Sequence, residues 1–433
     1  MPDIKNLYQH YLSHPTISTD TRNISEGCIF FALKGENFNA NTFAEQALQN
    51  GAAYVVIDEE TYQLNDRCIL VADVLVALQE LAKHHRQQLA IPVIGLTGSN
   101  GKTTTKELLK AILSEKFNTF ATHGNLNNHI GVPLSILSIT PATEIAVIEM
   151  GANHQREIEL LCSIAQPTHG LITNIGMAHL DGFGGFEGVK KGKAELYAYL
   201  KQNNGFVFIY RNNPYLLEMS AAADLNKVIY YGTETRDKIT GDLIKTDPFI
   251  EFNWTVGGQT YTAQANLTGA YNFENILAAI CVGDFFGVSA AQINKGLANY
   301  FPNNNRSQLT KTAENTLICD FYNANPSSMA AALNNLKGLT AANKAAILGD
   351  MFELGGEAAA QHDLIAELAA SSDFQTLIFI GKHFNELKDK YKGVFFVTPK
   401  EASDYLTAHP LKNSLVLLKG SRGMALEQLM PLL

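Results

Sequence analysis

The sequence predicts an α/β protein of three domains: a small N-terminal α/β domain over residues 1–88, a central phosphate-loop ATPase-like parallel-sheet domain over 89–303, and a C-terminal Rossmann-like domain over 304–433. Three observations carry this reading. Short apolar runs alternate with helical stretches along most of the chain, the rhythm of βαβ units. One Gly/Ser/Asn turn, Thr97-Gly-Ser-Asn-Gly-Lys-Thr-Thr104, links an apolar run to a helix start. A length of 433 residues suggests about three domains.

In the first domain, residues 28–33 and 53–57 are short apolar strands flanking a helical stretch at 41–50. Residues 74–89 have a helical pattern and lead to Pro92, a natural boundary. The second domain opens with the apolar run 91–96, read as a buried strand, and Lys102 with its three following threonines opens a helix. Further strands are expected at 145–148, 171–174 and 206–209. Residues 240–268 alternate polar and apolar positions, which predicts a small antiparallel patch. Helices at about 271–286 and 289–300 close the domain, and Phe301-Pro-Asn-Asn-Asn305 is a linker by its turn chemistry and the obvious hinge. The third domain has strands at 316–319, 344–348, 376–380, 394–397 and 414–418, with helices at about 327–337, 358–370 and 401–408. It lacks a Gly-x-Gly-x-x-Gly fingerprint, so dinucleotide binding is not implied.

Composition is that of a soluble globular protein, 46% hydrophobic and 17% charged. A net charge of -9 argues against a general nucleic-acid binder. Cys28, Cys68, Cys162, Cys281 and Cys319 show no metal or redox spacing and read as reduced, mostly core thiols. There is no apolar signal region at the start and no run of membrane-spanning length, so a cytoplasmic compartment is expected.

The turn after residue 96 carries the chemistry. Glycines let the backbone curl until successive N–H groups point at phosphate oxygens, and the helix N-terminus adds partial positive charge. Lys102 can reach the β- and γ-phosphates, and the Thr103 hydroxyl can ligate Mg²⁺. The strict pattern wants glycine where Leu96 stands; the glycines here are Gly95 and Gly98. Glu149 ends an apolar strand, and strand C-termini in a parallel sheet line the ligand crevice, so its carboxylate can hold a phosphate-bridging Mg²⁺ or be a solvated strand-end group. His179 follows another strand near the same edge; alone such a histidine is more often structural, but here it can be a second metal ligand. Lys193 follows Lys190 and Lys191 on a helix, which from charge alone reads as a solvated basic face. Asn125, Asn127 and Asn128 offer amides to a polar sugar or peptide, or cap a turn.

Together these segments resemble the Mur ligases, ATP-dependent amide ligases of peptidoglycan synthesis. The resemblance lies in the phosphate loop, Gly124-Asn-Leu-Asn-Asn-His-Ile-Gly-Val-Pro133, Glu149-Met-Gly-Ala-Asn153, Asn174-Ile-Gly-Met-Ala-His-Leu-Asp-Gly-Phe183 and Gly192-Lys-Ala-Glu-Leu196. It continues through Asp320-Phe-Tyr-Asn-Ala-Asn-Pro-Ser-Ser-Met329, Leu348-Gly-Asp-Met-Phe-Glu-Leu-Gly355 and Leu418-Lys-Gly-Ser-Arg-Gly-Met424, which resemble the branch that adds a dipeptide. A phosphate-loop ATPase without ligase activity would not need these last motifs.

The resemblance implies ATP, two Mg²⁺ ions, and UDP-N-acetylmuramoyl-tripeptide and D-alanyl-D-alanine as partners of a monomeric enzyme. Thr97, Gly98, Ser99, Asn100, Gly101, Lys102, Thr103 and Thr104 would bind the phosphates, with Asn272 and Asn275 on the adenine. Thr103 and Glu149 would hold one Mg²⁺, and His179 with a carbamylated Lys193 the other; a carbamate supplies the anionic oxygens that an ammonium lacks. Arg306 and Asp320 would reach phosphates and ribose. Asn323, Asn325, Asp350, Lys419, Ser421 and Arg422 would surround the incoming dipeptide, and Thr21 and Arg22 the UDP-sugar, with Asn125, Asn127 and Asn128 as further substrate contacts. Two positions depart from the family pattern: Asn39-Ala-Asn41 stands for Asp-Gly-His, and Phe321 for a smaller residue.

Overall fold

The computed structural model describes residues 4–433. Its main strands form three sheets that follow one another along the chain. The first holds four parallel strands in the order Ile17–Ser18, Ile29–Phe31, Tyr54–Ile57 and Cys68–Leu70. The two inner strands lie where the apolar runs predict them. The outer two are only two and three residues long, too short to show a period.

Helix Val74–Gln88 joins this sheet to the next. The Asp73 carboxylate caps it by accepting from the Val76 amide at 2.9 Å. Leu78, Leu81 and Ala82 are buried on its inner face. At its C-terminal end the guanidinium of Arg86 donates to the carbonyls of Ala165 and Gln166 at 3.0 and 3.1 Å, at the end of helix Glu157–Ala165, and to that of Leu89 at 2.8 Å, which caps its own helix. Helix Ile4–Ser13, which the sequence reading did not anticipate, packs on the same surface, and Tyr11 donates to the Leu137 carbonyl at 2.7 Å. As a result Leu7, Phe31, Val56, Leu78 and Leu81 belong to one hydrophobic cluster with Ile136, Ile148 and Leu161 of the central unit.

The central sheet has nine strands. Val93–Thr97 lies between His169–Ile172 and Ile145–Glu149, all parallel. Beyond Phe206–Tyr210 and Val228–Gly232 the expected antiparallel patch extends the same sheet as Ile239–Lys245, Ile250–Val256 and Gln259–Ala265. Helix Lys102–Leu113 buries Leu108, Leu109 and Ile112 with residues of helices Phe273–Phe285 and Ala290–Asn299.

The third sheet has six strands, in the order Gln308–Lys311, Thr316–Asp320, Ser414–Lys419, Asn343–Gly349, Thr376–Ile380 and Val394–Phe396. Only the first, which the sequence reading missed, runs antiparallel to its neighbour. This unit sits against the central one. Asn325 donates to Asn100 at 2.7 Å, Asn335 donates to Thr268 at 3.0 Å, and the hydroxyls of Tyr271 and Ser307 are 2.8 Å apart. No described helix is long and apolar enough to cross a membrane.

Because the first two units share a core, L78A or L81A should each destabilise the protein by about 2–5 kcal/mol. Urea unfolding followed by probes in both units should move as one transition. Separate transitions would show that the shared cluster does not couple them.

Candidate active site

A cleft of about 800 Å³ lies between the C-terminal ends of the central strands and the third unit. Its floor is the turn between strand Val93–Thr97 and helix Lys102–Leu113. Gly98 has φ +145° and Gly101 φ +77°. A Cβ on Gly98 would fall 2.0 Å from the Thr173 hydroxyl, and one on Gly101 2.5 Å from Asn275 Oδ1. Glycine is therefore required twice over, by conformation and by space. Asn174 braces the turn by accepting from the Asn100 amide at 3.0 Å, and the Ser99 hydroxyl accepts from the Gly176 amide at 2.8 Å. Ser99, Asn100, Gly101, Lys102 and Thr104 line the cleft, with Thr97 buried behind them. Lys102 Nζ folds onto its own loop, donating to the carbonyls of Gly98 at 2.7 Å and Ser99 at 3.2 Å. Burial pushes its pKa down to about 8, Glu149 opposing and Arg306 adding to the effect. An anionic ligand reverses that pressure.

Glu149 ends strand Ile145–Glu149 and is 1% exposed. Its Oε1 accepts from Asn127 at 2.8 Å and from the Thr103 hydroxyl at 3.2 Å. Its Oε2 has no hydrogen-bond partner among the described residues. The ammonium of Lys106, wholly buried, stands 3.8 Å from that oxygen and also contacts Glu107 and the Gly124 carbonyl. A buried acceptor left unpaired costs about 1–3 kcal/mol. The orphan oxygen next to a threonine hydroxyl on a phosphate loop fits a divalent cation.

His179 has φ +54° and begins the short helix Leu180–Phe183. Its Nδ1 makes a short contact with Glu353 of the third unit. A carboxylate on Nδ1 fixes the ring and leaves Nε2 free, the usual support for a metal-binding imidazole. The histidine bond in turn holds the Glu353 carboxyl below its ordinary range. Sequence reasoning assigned no role to Glu353. It lies in a quoted motif, but its partner is 174 residues away in sequence.

Lys193 shows where charge counting misleads. Lys190 does face outward, on Glu187 and Glu218. Lys193, three residues on, is 1% exposed. It donates to the Ala152 carbonyl at 3.2 Å and lies 5.1 Å over the Phe183 ring. Burial pushes its pKa well down, Lys102 lowering it further while Glu157 and Glu195 oppose. The shift favours the neutral amine, the form that can react with CO₂.

Asn125, Asn127 and Asn128 all line the cleft. Asn128 also caps helix Gly131–Leu137, accepting from the amides of Ile130 and Gly131 at 3.1 and 2.8 Å. Asn272 and Asn275 are linked to each other at 3.1 Å, and Asn275 accepts from Thr105 at 3.1 Å. Between them stands Glu274, which sequence reasoning passed over; burial raises its pKa to about 7, a hydrogen bond from Asn174 opposing. From the third unit, Arg306 lies flat on the Tyr322 ring at 3.8 Å, its buried Nε without a partner among the described residues. Tyr322, also unassigned from sequence, is the platform for this cation. Asp320 accepts from Lys419 at 2.7 Å and from the Ser307 amide at 3.2 Å. Asn323 and Asn325 line the cleft.

Nine expected site residues are absent from its lining: Thr97, Gly98, Thr103 and Lys193 lie outside it, as do Asp350, Ser421, Arg422, Thr21 and Arg22. Asp350 is 3% exposed and accepts the amides of His383 and Phe384 at 3.0 and 3.1 Å. It anchors the start of helix Lys382–Asn385. Ser421 accepts from the Phe352 amide at 2.9 Å. Arg422 is exposed, 5.8 Å from the Tyr322 ring. Thr21 and Arg22 belong to a turn of the first unit, where Arg22 pairs with Asp20 at 2.8 Å. Nearby, the departing Asn41 is fully buried and exchanges two bonds with Asp58, from its side chain at 2.8 Å and to its oxygen at 3.0 Å. Phe321, the other departure, is 1% exposed in the core of the third unit.

Three family models match the chain in order: the Mur ligase family catalytic domain over residues 15–86, the Mur ligase middle domain over 96–283, and the Mur ligase glutamate ligase domain over 305–422. The UDP-N-acetylmuramoyl-tripeptide–D-alanyl-D-alanine ligase of Bacillus subtilis is 36% identical, the match covering 95% of this chain and 92% of the relative. The Escherichia coli enzyme of the same name is 35% identical over the same shares. Among solved structures, MurF of Acinetobacter baumannii superposes with a TM-score of 0.87 at 32% identity, covering 96% of this chain and 92% of that one. MurF ligase of Thermotoga maritima in complex with ADP gives 0.86 at 26% identity, covering 100% and 98%. With its motifs, its three matched domains and its near full-length relatives in agreement, the chain belongs to the Mur ligase family.

Proposed function

We propose that this protein is an ATP-dependent ligase that joins D-alanyl-D-alanine to UDP-N-acetylmuramoyl-tripeptide, making a peptidoglycan precursor. The observation that carries the reading is one cleft in which Lys102 and the orphan oxygen of Glu149 face the amide-rich edges Asn125–Asn128 and Asn323–Asn325. The relatives' names supply the substrates. Residues 1–88 would bind the UDP-sugar, 89–303 ATP, and 304–433 the dipeptide. A cytoplasmic monomer suits soluble, nucleotide-linked substrates.

The reaction has two steps. The tripeptide's terminal carboxylate attacks the γ-phosphorus; an O–P bond forms, the bond to ADP breaks, and an acyl phosphate results. The dipeptide amine then attacks the acyl carbon; the C–N bond forms and phosphate leaves. Lys102 and Arg306 are placed to neutralise phosphate oxygens as charge redistributes. Glu149 and Thr103 fit one Mg²⁺, and His179 with a carbamate on Lys193 would hold a second. Bound there, the ions would supply positive charge to offset the charge of the phosphates. Asn127, bonded to Glu149, ties the peptide-facing loop to that site. The contact of Asn325 with Asn100 brings the third unit down on the phosphate loop, which shields the acyl phosphate from water.

ADP release should require both the UDP-muramoyl tripeptide and D-alanyl-D-alanine in a coupled assay. Equal turnover with ATP alone would overturn the ligase reading. K193A should lower kcat by roughly 10²–10³-fold, and acetate at millimolar levels should restore part of it. Wild-type turnover of K193A in CO₂-depleted buffer would exclude the metal-ligand role. E353A frees the His179 ring and should raise the Mg²⁺ concentration for half-maximal rate by about 10–100-fold, with a smaller effect at saturating Mg²⁺. An unchanged Mg²⁺ titration would reduce Glu353 to an interdomain contact.

A further inference from the structure

Glu274 is a half-buried residue whose carboxyl group the reaction derived above does not use. It stands in the first turn of helix Phe273–Phe285, between Asn272 and Asn275, and lines the active-site cleft. With Tyr271 it also walls a second cavity of about 300 Å³, so it forms a partition between two spaces and is not part of the packed core. Its Oε1 accepts from Asn174 Nδ2 at 2.9 Å. Asn174 Oδ1 in turn accepts from the Asn100 amide of the phosphate loop at 3.0 Å. One carboxyl oxygen is thus tied, through a single amide, to the loop that faces phosphate. The other has no hydrogen-bond partner among the described residues.

That oxygen is open to a donor from a ligand in the cleft. The phosphates cannot supply one, because they are anionic and would repel the carboxylate. The nucleoside is the part of the nucleotide that can supply one. The amides of Asn272 and Asn275, on either side, are already engaged with Thr268, Thr105 and each other. An ionised carboxylate only accepts. Adenine presents an exocyclic amine where guanine presents a carbonyl.

We propose that Glu274 is a specificity-determining residue, its free oxygen accepting from the exocyclic amine of adenine and so selecting ATP over GTP. The inference rests on reading the cleft as the ATP site. The structure also names its alternative, a brace that acts on the phosphate loop through Asn174.

E274Q separates the two. Glutamine keeps an oxygen for Asn174 and can turn its NH₂ toward the carbonyl of guanine. kcat/KM for ATP and GTP would be measured with both co-substrates at about pH 8, above the raised value of this carboxyl, and ADP and GDP binding by calorimetry. E274Q should lower the ATP:GTP ratio about tenfold or more, with the ADP:GDP affinity ratio moving alike. E274A should lower the ratio as well, chiefly through weaker ATP binding, with a melting midpoint recorded for each variant. If both variants keep the wild-type ratio while both nucleotides weaken equally or not at all, Glu274 is only a brace. If the wild-type protein shows no ATP-dependent ligation, the ATP reading of the cleft falls and this inference with it.

Discussion

The site is organised around a carboxylate that the fold buries without completing its hydrogen bonds. Strand Ile145–Glu149 delivers Glu149 to the sheet edge, and neighbouring groups satisfy one oxygen while leaving the other bare. The groups around the carboxylate come from separate segments: Thr103 from the phosphate-loop helix and Asn127 from the amide-rich loop bond one oxygen, and Lys106, one turn below Thr103, stands 3.8 Å from the other. Their relative positions are set by this one side chain. A carboxylate with full solvation would impose no such geometry, because water would complete it.

Charge is concentrated at this point against the trend of the whole molecule. The chain carries a formal net charge of -9. Yet Lys102, Lys106, Lys193 and Arg306 gather in or beneath the cleft, each at most partly exposed. Lys102 and Lys193 show the strain of this crowding, both lowered by burial and each with a cationic neighbour adding to it. Bringing polyphosphate into the cleft relieves desolvation and repulsion together. The same crowding leaves Lys193 able to give up its proton, which the surface lysines Lys190 and Lys201, paired with carboxylates, are not placed to do.

The sequence made the local features readable and hid the distant ones. The phosphate loop is a contiguous pattern, and its strand, turn and helix fall where glycines and threonines predict. Glu149 was readable because a strand end in a parallel sheet has only one crevice to face. Glu274 and Glu353 were not, since each acquires its meaning from a partner 100 or 174 residues away. Lys193 looked like part of a solvated run because composition cannot show which way a helix turns. Asp350 and Ser421 illustrate the reverse limit. A motif marks them, but their oxygens are occupied by backbone amides. What they do for the site is to hold the loops that carry Phe352 and Glu353.

The third unit contributes more than a wall. Helix Pro326–Gly338 starts at Asn325, whose side chain caps its first turn and also reaches Asn100 on the phosphate loop. The partial positive charge of that helix end therefore faces the cleft opposite the one at Lys102. Two helix N-termini from different units, joined by one asparagine pair, make a frame for a chain of phosphates. Moving the third unit away would break this pair and the His179–Glu353 contact at once. Nucleotide binding and the assembly of the amine-side surface thus draw on the same contacts, so neither half of the cleft can be formed without constraining the other.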